Sequence, residues 1–282
     1  MNIRDFTFEK YDRLLEAAGE NGYDVLTVAD YLSRDELPER YVVLRHDVDR
    51  KVDIARSMAH LEASHDVRST YYFRTSTFDP EIVTELEDLG HEIGYHYEEL
   101  ARVGGDIEEA YDRFEENLAA FRRHVDVRTA CSHGSPLSSH LNLDMWQDDR
   151  PPAAFDLLGE AYLSTETDDS DPDELSYCSD TGRHWGMVDP VYGLVETTDD
   201  LIELLEVGSC PQLYVLAHPG RWSRNRPEFV ERVAWDLAAE SGKQAVKPVH
   251  SIQQRAGTFS GALARTTARS IMISRQLLSS RK

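Results

Sequence analysis

At 282 residues, 40% of them hydrophobic, the chain is long enough to bury a substantial core, and we expect one large α/β domain over residues 1–240 with a separate tail over 241–282. Its 52 acidic against 30 basic residues give a formal charge of −22, which argues against a nucleic-acid binder, and only five lysines stand beside 25 arginines, a balance that suits a surface adapted to high salt. The charge is uneven: no acid follows Glu240, and eight bases lie in the last 40 residues.

The N-terminal segment MNIRDFTFEKYDRLL is charged and amphipathic, predicts a helical lead-in and lacks the apolar stretch of a signal peptide. Three cysteines (Cys131, Cys178, Cys210) without metal-site spacing fit reduced thiols, and a cytoplasmic location is the expectation.

Tyr41–Asp49, YVVLRHDVD, carries the most information. An apolar, β-branched run reads as a buried strand, and charged groups at the end of one are paired, metal-bound or used in chemistry. Asp47 and Asp49 leave the same face if the strand stays extended. One carboxylate is then available to a metal and the other to a proton, the alternative being that Asp49 caps the following helix.

Lys51–His65 has apolar residues at near-helical spacing, and Arg68–Arg74 reads as a strand. Asp79-Pro80 opens a helix that Gly90 stops. His91–Tyr95 is a strand ending at His96, and Ile107, Tyr111, Phe114, Leu118 and Phe121 form a helical stripe after Asp106. Val127–Ser132 is a short strand ending at His133-Gly134-Ser135-Pro136. Ser164–Ser176 is an acidic loop, and Leu213–Ala217 is a strand ending at His218.

Alternating strands and helices imply a parallel sheet or barrel, in which chemistry collects at the carboxyl ends of the strands. Four apolar segments here end in Asp47/Asp49, His96, His133 and His218.

RHDVD, GHEIGYH and LAHPGRW together resemble the motifs of the polysaccharide deacetylase family, also called the NodB-homology or carbohydrate esterase 4 group; SHGSPLS and SDTGRHW look closest to a divergent subgroup. The resemblance runs from Tyr41 to Trp222. It implies a distorted (β/α) barrel and a divalent metal, usually zinc, used to hydrolyse acetamido groups on sugars. It further implies Asp47 as base, Asp49 and His96 as metal ligands, and His218 as general acid.

The usual second ligand histidine is replaced by Leu100, and the usual arginine-proline motif is absent. Glu98 stands on the side of His96 in an extended segment and is the expected third ligand, with His133 its rival. Arg183 is a candidate to orient Asp47 or bind an anionic sugar. His133, Ser135, Arg221 and Trp222 are candidates to contact substrate, and Trp146, Trp185 and Trp222 to form an aromatic platform, although core packing is the commoner use of tryptophan. His46 points behind the site, and His60, His65, His91 and His124 are expected to be structural or surface residues.

These residues lead to a metal-dependent hydrolase of C–N amide bonds acting on an N-acetylated sugar, polysaccharide precursor or glycolipid. Two alternatives stand beside it: a hydrolase of cyclic, non-sugar amides, and a glycan-binding protein on a degenerate deacetylase fold, which Leu100 favours. The basic tail offers contact with an anionic membrane. A serine hydrolase is excluded by the absence of a Gly-x-Ser-x-Gly elbow, and phosphate-loop and dinucleotide fingerprints are missing too.

Overall fold

The computed structural model describes residues 5–135, 138–147, 150–165 and 175–233. The chain divides into two units, Met1–Phe229 and Val230–Lys282. The basic tail expected over 241–282 and most of the acidic loop lie outside the described residues. Among those described, no helix is long and apolar enough to cross a membrane.

Unit 1 is a parallel α/β sheet curled into a distorted, open (β/α) barrel. The chain runs α1 (Phe8–Glu20), β1 (Asp24–Leu26), α2 (Val28–Ser33), β2 (Tyr41–Val48), α3 (Val52–Ser64), β3 (Thr70–Phe73), α4 (Pro80–Asp88), β4 (Glu92–Tyr97), α5 (Glu99–Arg102), α6 (Ile107–Phe121) and β5 (Thr129–Ser132). It continues through β6 (Gly159–Glu160), β7 (Ser176–Ser179), the antiparallel pair β8 (Met187–Asp189) and β9 (Gly193–Val195), α7 (Thr198–Val207) and β10 (Gln212–Ala217). The sheet order is β6-β5-β4-β3-β2-β10-β7, and β1 pairs with the first half of β2.

Local sequence explains the helices. The Asp79 side chain accepts from the amides of Glu81 and Ile82 with Pro80 in the first turn, and Gly90 leaves in the left-handed region at φ 94°. Thr197 and Asp200 form a reciprocal capping box on α7. Helix α3 differs: its N-cap is Lys51, in the left-handed conformation and without a side-chain cap, so Asp49 is not spent on capping.

All eight residues of β2 are buried. Strand alternation sends Val43, Arg45 and Asp47 into the barrel and Val42, Leu44 and His46 toward the helices. Inside, Tyr72, Tyr214, Cys131 and Leu175 pack with Val43. Gly94 permits this filling, because a Cβ there would stand 2.2 Å from the Tyr72 ring.

Behind the sheet, Glu62 of α3 is fully buried and gathers four partners, from β2, β3, α1 and the residue before β3. The His46 ring nitrogen Nε2 lies 2.6 Å from it, Ser69 donates at 2.5 Å and Tyr71 at 2.9 Å, and the Tyr11 hydroxyl also donates. Burial alone would raise this carboxyl, but His46, His91 and Ser69 hold it down at about 2.

A carboxyl depressed by folding stabilises the fold above its unfolded pKa of about 4.3, and that contribution is lost as pH falls toward about 2. Glu62→Gln puts amide donors against hydroxyl donors. We expect it to cost about 3–5 kcal/mol in chemical denaturation and to flatten the acid limb of stability; a variant as stable as wild type at pH 7 would refute this account.

Candidate metal centre

Three strand ends bring the site together. Asp47 lies in β2, and the Asp49 amide turns back to donate to the Asp47 carbonyl at 3.1 Å. His96 lies in β4, and His133 follows β5, held by its amide donating 2.8 Å to the Tyr97 carbonyl. Parallel pairing of β4 with β5 sets His96 beside Cys131.

Asp49 Oδ1 is 3.4 Å from His96 Nε2 and 3.4 Å from His133 Nε2. That oxygen is buried and has no hydrogen-bond partner. A tetrahedral zinc ion with bonds of about 2.0–2.1 Å spaces its ligand atoms about 3.3–3.4 Å apart, so the three residues fit such an ion by atom type, and the two edges from Asp49 match its spacing. The His96 Nδ1 lies 3.0 Å from the Cys131 carbonyl, which only accepts. Nδ1 therefore carries the proton and Nε2 is left to bind. Burial would raise the Asp49 carboxyl, but the imidazoles of His96, His218 and His133 hold it well below the usual carboxylate range.

Asp47 flanks this group. Its Oδ2 is 3.7 Å from His96 Nε2, and the Cys131 thiol donates weakly to both of its oxygens at 3.8 and 3.9 Å. Asp47, His96 and Cys131 form a second possible ligand group. Arg45 Nη1 lies 2.8 Å from that sulfur, however, and burial pushes the thiol well above its usual pKa, so the sulfur is the poorer metal ligand.

His218, after β10, is oriented by a residue that the sequence reading left without a role. Asp180 follows β7 and is fully buried. Its Oδ1 is 2.6 Å from His218 Nδ1, and its Oδ2 accepts from the His218 amide at 2.9 Å and from Trp222 Nε1 at 3.2 Å. Burial opposes its charge, but His218 and Arg221 keep the carboxyl low. An acid directly after the short strand Ser176–Ser179 was the available signal.

Several expectations need correction. Glu98 is absent from the ligand groups: the chain does not stay extended there but turns into α5 at φ −146°, ψ 22°, carrying Glu98 to Arg74 and Arg102. His133, expected against substrate or as the rival third ligand, is the residue that joins Asp49 and His96 in a group able to hold a metal. Trp222 is 1% exposed and packs edge-on against Phe6 and Tyr11, and Trp185 is buried beside it, so neither forms a platform. Trp146 donates to the Tyr97 hydroxyl at 2.8 Å and packs against Phe114.

The guanidinium beside Asp47 is that of Arg45, at 3.9 Å, fully buried and stacked 4.2 Å from the Tyr162 ring centre. Arg183 sits in a left-handed turn, its amide donating to the Asp180 carbonyl at 3.1 Å. Arg221 also reaches that carbonyl through its side chain. Ser135 accepts from Asn142 at 3.2 Å, and the same Asn142 amide donates to the His133 carbonyl at 2.7 Å, which ties down the loop bearing His133.

No protein-family model and no curated protein matches the chain. Among solved structures, it is similar to wild-type BA3943 from Bacillus anthracis, described as a CE4 family pseudoenzyme, with TM-score 0.43 and 14% identity over 74% of this chain and 63% of that one. A BA3943 mutant described as having restored enzymatic activity gives 0.41 and 14% over 74% and 65%. Peptidoglycan deacetylase PdaC from Bacillus subtilis gives 0.38 and 11% over 73% and 97%. The chain thus spans less than two thirds of the length of BA3943. At these values the likeness carries no argument about activity or substrate.

Protein purified without chelator is expected to carry about one divalent ion per chain by mass spectrometry, and Asp49→Ala and His133→Ala each to lose it. Retention of a full equivalent by His133→Ala would overturn the third-ligand assignment.

Proposed function

We propose that this chain is a metal-dependent hydrolase of C–N amide bonds that deacetylates an N-acetylated sugar, polysaccharide precursor or glycolipid. The observation carrying the reading is the convergence of a three-residue ligand group, Asp49, His96 and His133, with a second carboxylate on one side and a carboxylate-oriented imidazole beyond it. A divalent ion held by those three residues would supply Lewis acidity at the acyl oxygen and a more acidic water.

The residues of the chain divide the proton work. Asp47 has no place among the three ligands and stands within 3.7 Å of His96, free to take the proton of the attacking water. With its Nδ1 proton turned to Asp180, a doubly protonated His218 hands the proton on Nε2 to the departing amine and is left as the neutral imidazole. Asp180 fixes the orientation of that imidazole, and Trp222 and Arg221 fix Asp180 in turn. Removal of the amine by protonation makes cleavage of the C–N bond the productive direction.

The carbohydrate class rests on the motif resemblance rather than on the geometry, which suits any accessible acyl amide. A glycan-binding protein without turnover is the second reading, favoured by one observation: Leu100, where the motif expects a ligand, is 3% exposed in the core.

Metal-loaded protein assayed with N-acetylated oligosaccharides, acetylated sugar nucleotides and a cyclic ureide separates these readings. Asp47→Asn is expected to keep the ion and lose about 10²–10⁴ in kcat, and Asp180→Asn to approach the loss of His218→Gln. Glycan binding with no release of acetate by loaded wild type would sink the hydrolase and leave the binding protein.

A further inference from the structure

The two imidazoles of the metal centre are oriented by different devices. His96 Nδ1 bonds a backbone carbonyl, a partner that no substitution removes. His133 Nδ1 faces a side chain, Glu98 Oε2, at 3.2 Å. The separation is that of a hydrogen bond, although the ring angle leaves the bond short of alignment and Nδ1 is a buried nitrogen without another partner.

Glu98 is itself gripped. Arg74, which follows β3, donates from Nη2 to both carboxylate oxygens at 2.9 and 2.8 Å, and Arg102 at the end of α5 donates to Oε1 at 2.5 Å. The Glu98 side chain is 10% exposed, so these bonds are shielded from solvent on the carboxylate's side. A surface ion pair would need only Arg102. The second arginine, reaching over from another strand, and the imidazole on the remaining side make this a built carboxylate.

We infer that Glu98 is a positioning residue for His133, its clamped carboxylate accepting the Nδ1 proton and so presenting Nε2 to the metal beside Asp49 and His96. This rests on the metal-dependent reading above. It explains why a carboxylate two residues from His96 is not itself a ligand: its oxygens are committed to two guanidiniums and an imidazole. It also makes metal affinity depend on β3 and α5, neither of which supplies a ligand.

Outer carboxylates of this kind change metal affinity by about 10–100-fold when removed. Cobalt(II) titration in competition with a chelator measures the effect on the full chain without recourse to activity. Glu98→Gln is expected to bind one cobalt per chain about 10–100-fold more weakly, with the visible absorption bands unchanged in shape because the ligands are unchanged. Arg102→Gln, at the exposed side of the clamp, keeps the fold and weakens binding by a smaller factor. The Glu98→Gln/Arg74→Gln double variant is expected to be no weaker than Glu98→Gln alone, since both act through one carboxylate.

Wild-type affinity in both Glu98→Gln and Arg102→Gln overturns the inference while leaving the metal centre standing. A changed band shape in Glu98→Gln overturns it in the other direction, making Glu98 a ligand. Failure of wild type to take up cobalt at all removes the metal reading itself and this inference with it.

Discussion

Strand β2 is buried along its whole length yet carries Arg45, His46 and Asp47 in succession, and the rest of the structure is arranged around partnering them. An unpaired charge in such a place costs several kcal/mol. Alternation splits the problem between two faces. Outward, His46 meets Glu62, which draws α1, α3 and β3 onto the sheet through Tyr11, Ser69 and Tyr71. Inward, Arg45 meets Asp47 and the Cys131 sulfur under the rings of Tyr162, Tyr214 and Tyr72. Burial works against the Arg45 charge, but Asp47 with Cys131, Tyr162 and Tyr214 together outweigh it, and the guanidinium is held more firmly protonated than usual.

The barrel interior is layered by this arrangement. Val43 lies at the bottom, Arg45 with its tyrosines in the middle, and Asp47 at the carboxyl end, beside His96. A guanidinium one layer beneath a carboxylate gives each buried group a partner of opposite sign. The same economy recurs at Asp180, which is buried but accepts from His218, Trp222 and Arg221 and so serves both as an anchor of the core and as the orienting partner of His218.

The departures from the family pattern find a structural reading. Leu100 belongs to the core that packs α5 and α6 against the sheet, with Tyr97 and Phe114. At the end of the neighbouring strand His133 stands 3.4 Å from Asp49 Oδ1, and Glu98 turns away from Asp49 to face Arg74, Arg102 and His133. The buried tryptophans belong to a second core, where Trp222 packs edge-on and Trp185 tilted against Phe6.

Much was legible in the sequence. Periodicity located α3, α4 and α6, apolar runs located β2 to β5 and β10, and the recurrence of acids and histidines at strand ends pointed to one end of a parallel sheet. The two-residue strand β6 and the β8–β9 hairpin carry too little pattern to be seen, because short strands are defined by the partners they pair with. The sequence by itself determined the class of fold, the polarity of the barrel and the residues carrying reactive groups, since these follow from local alternation and spacing. Only the tertiary structure decided which of those groups meet: that His133 rather than Glu98 faces Asp49, that Arg45 rather than Arg183 lies beneath Asp47, and that Asp180 holds His218. Each of those choices turns on the direction of a side chain where the backbone bends, at Glu98 into a helix and at Asp49 into a turn, and such bends are set by packing between elements distant in the chain.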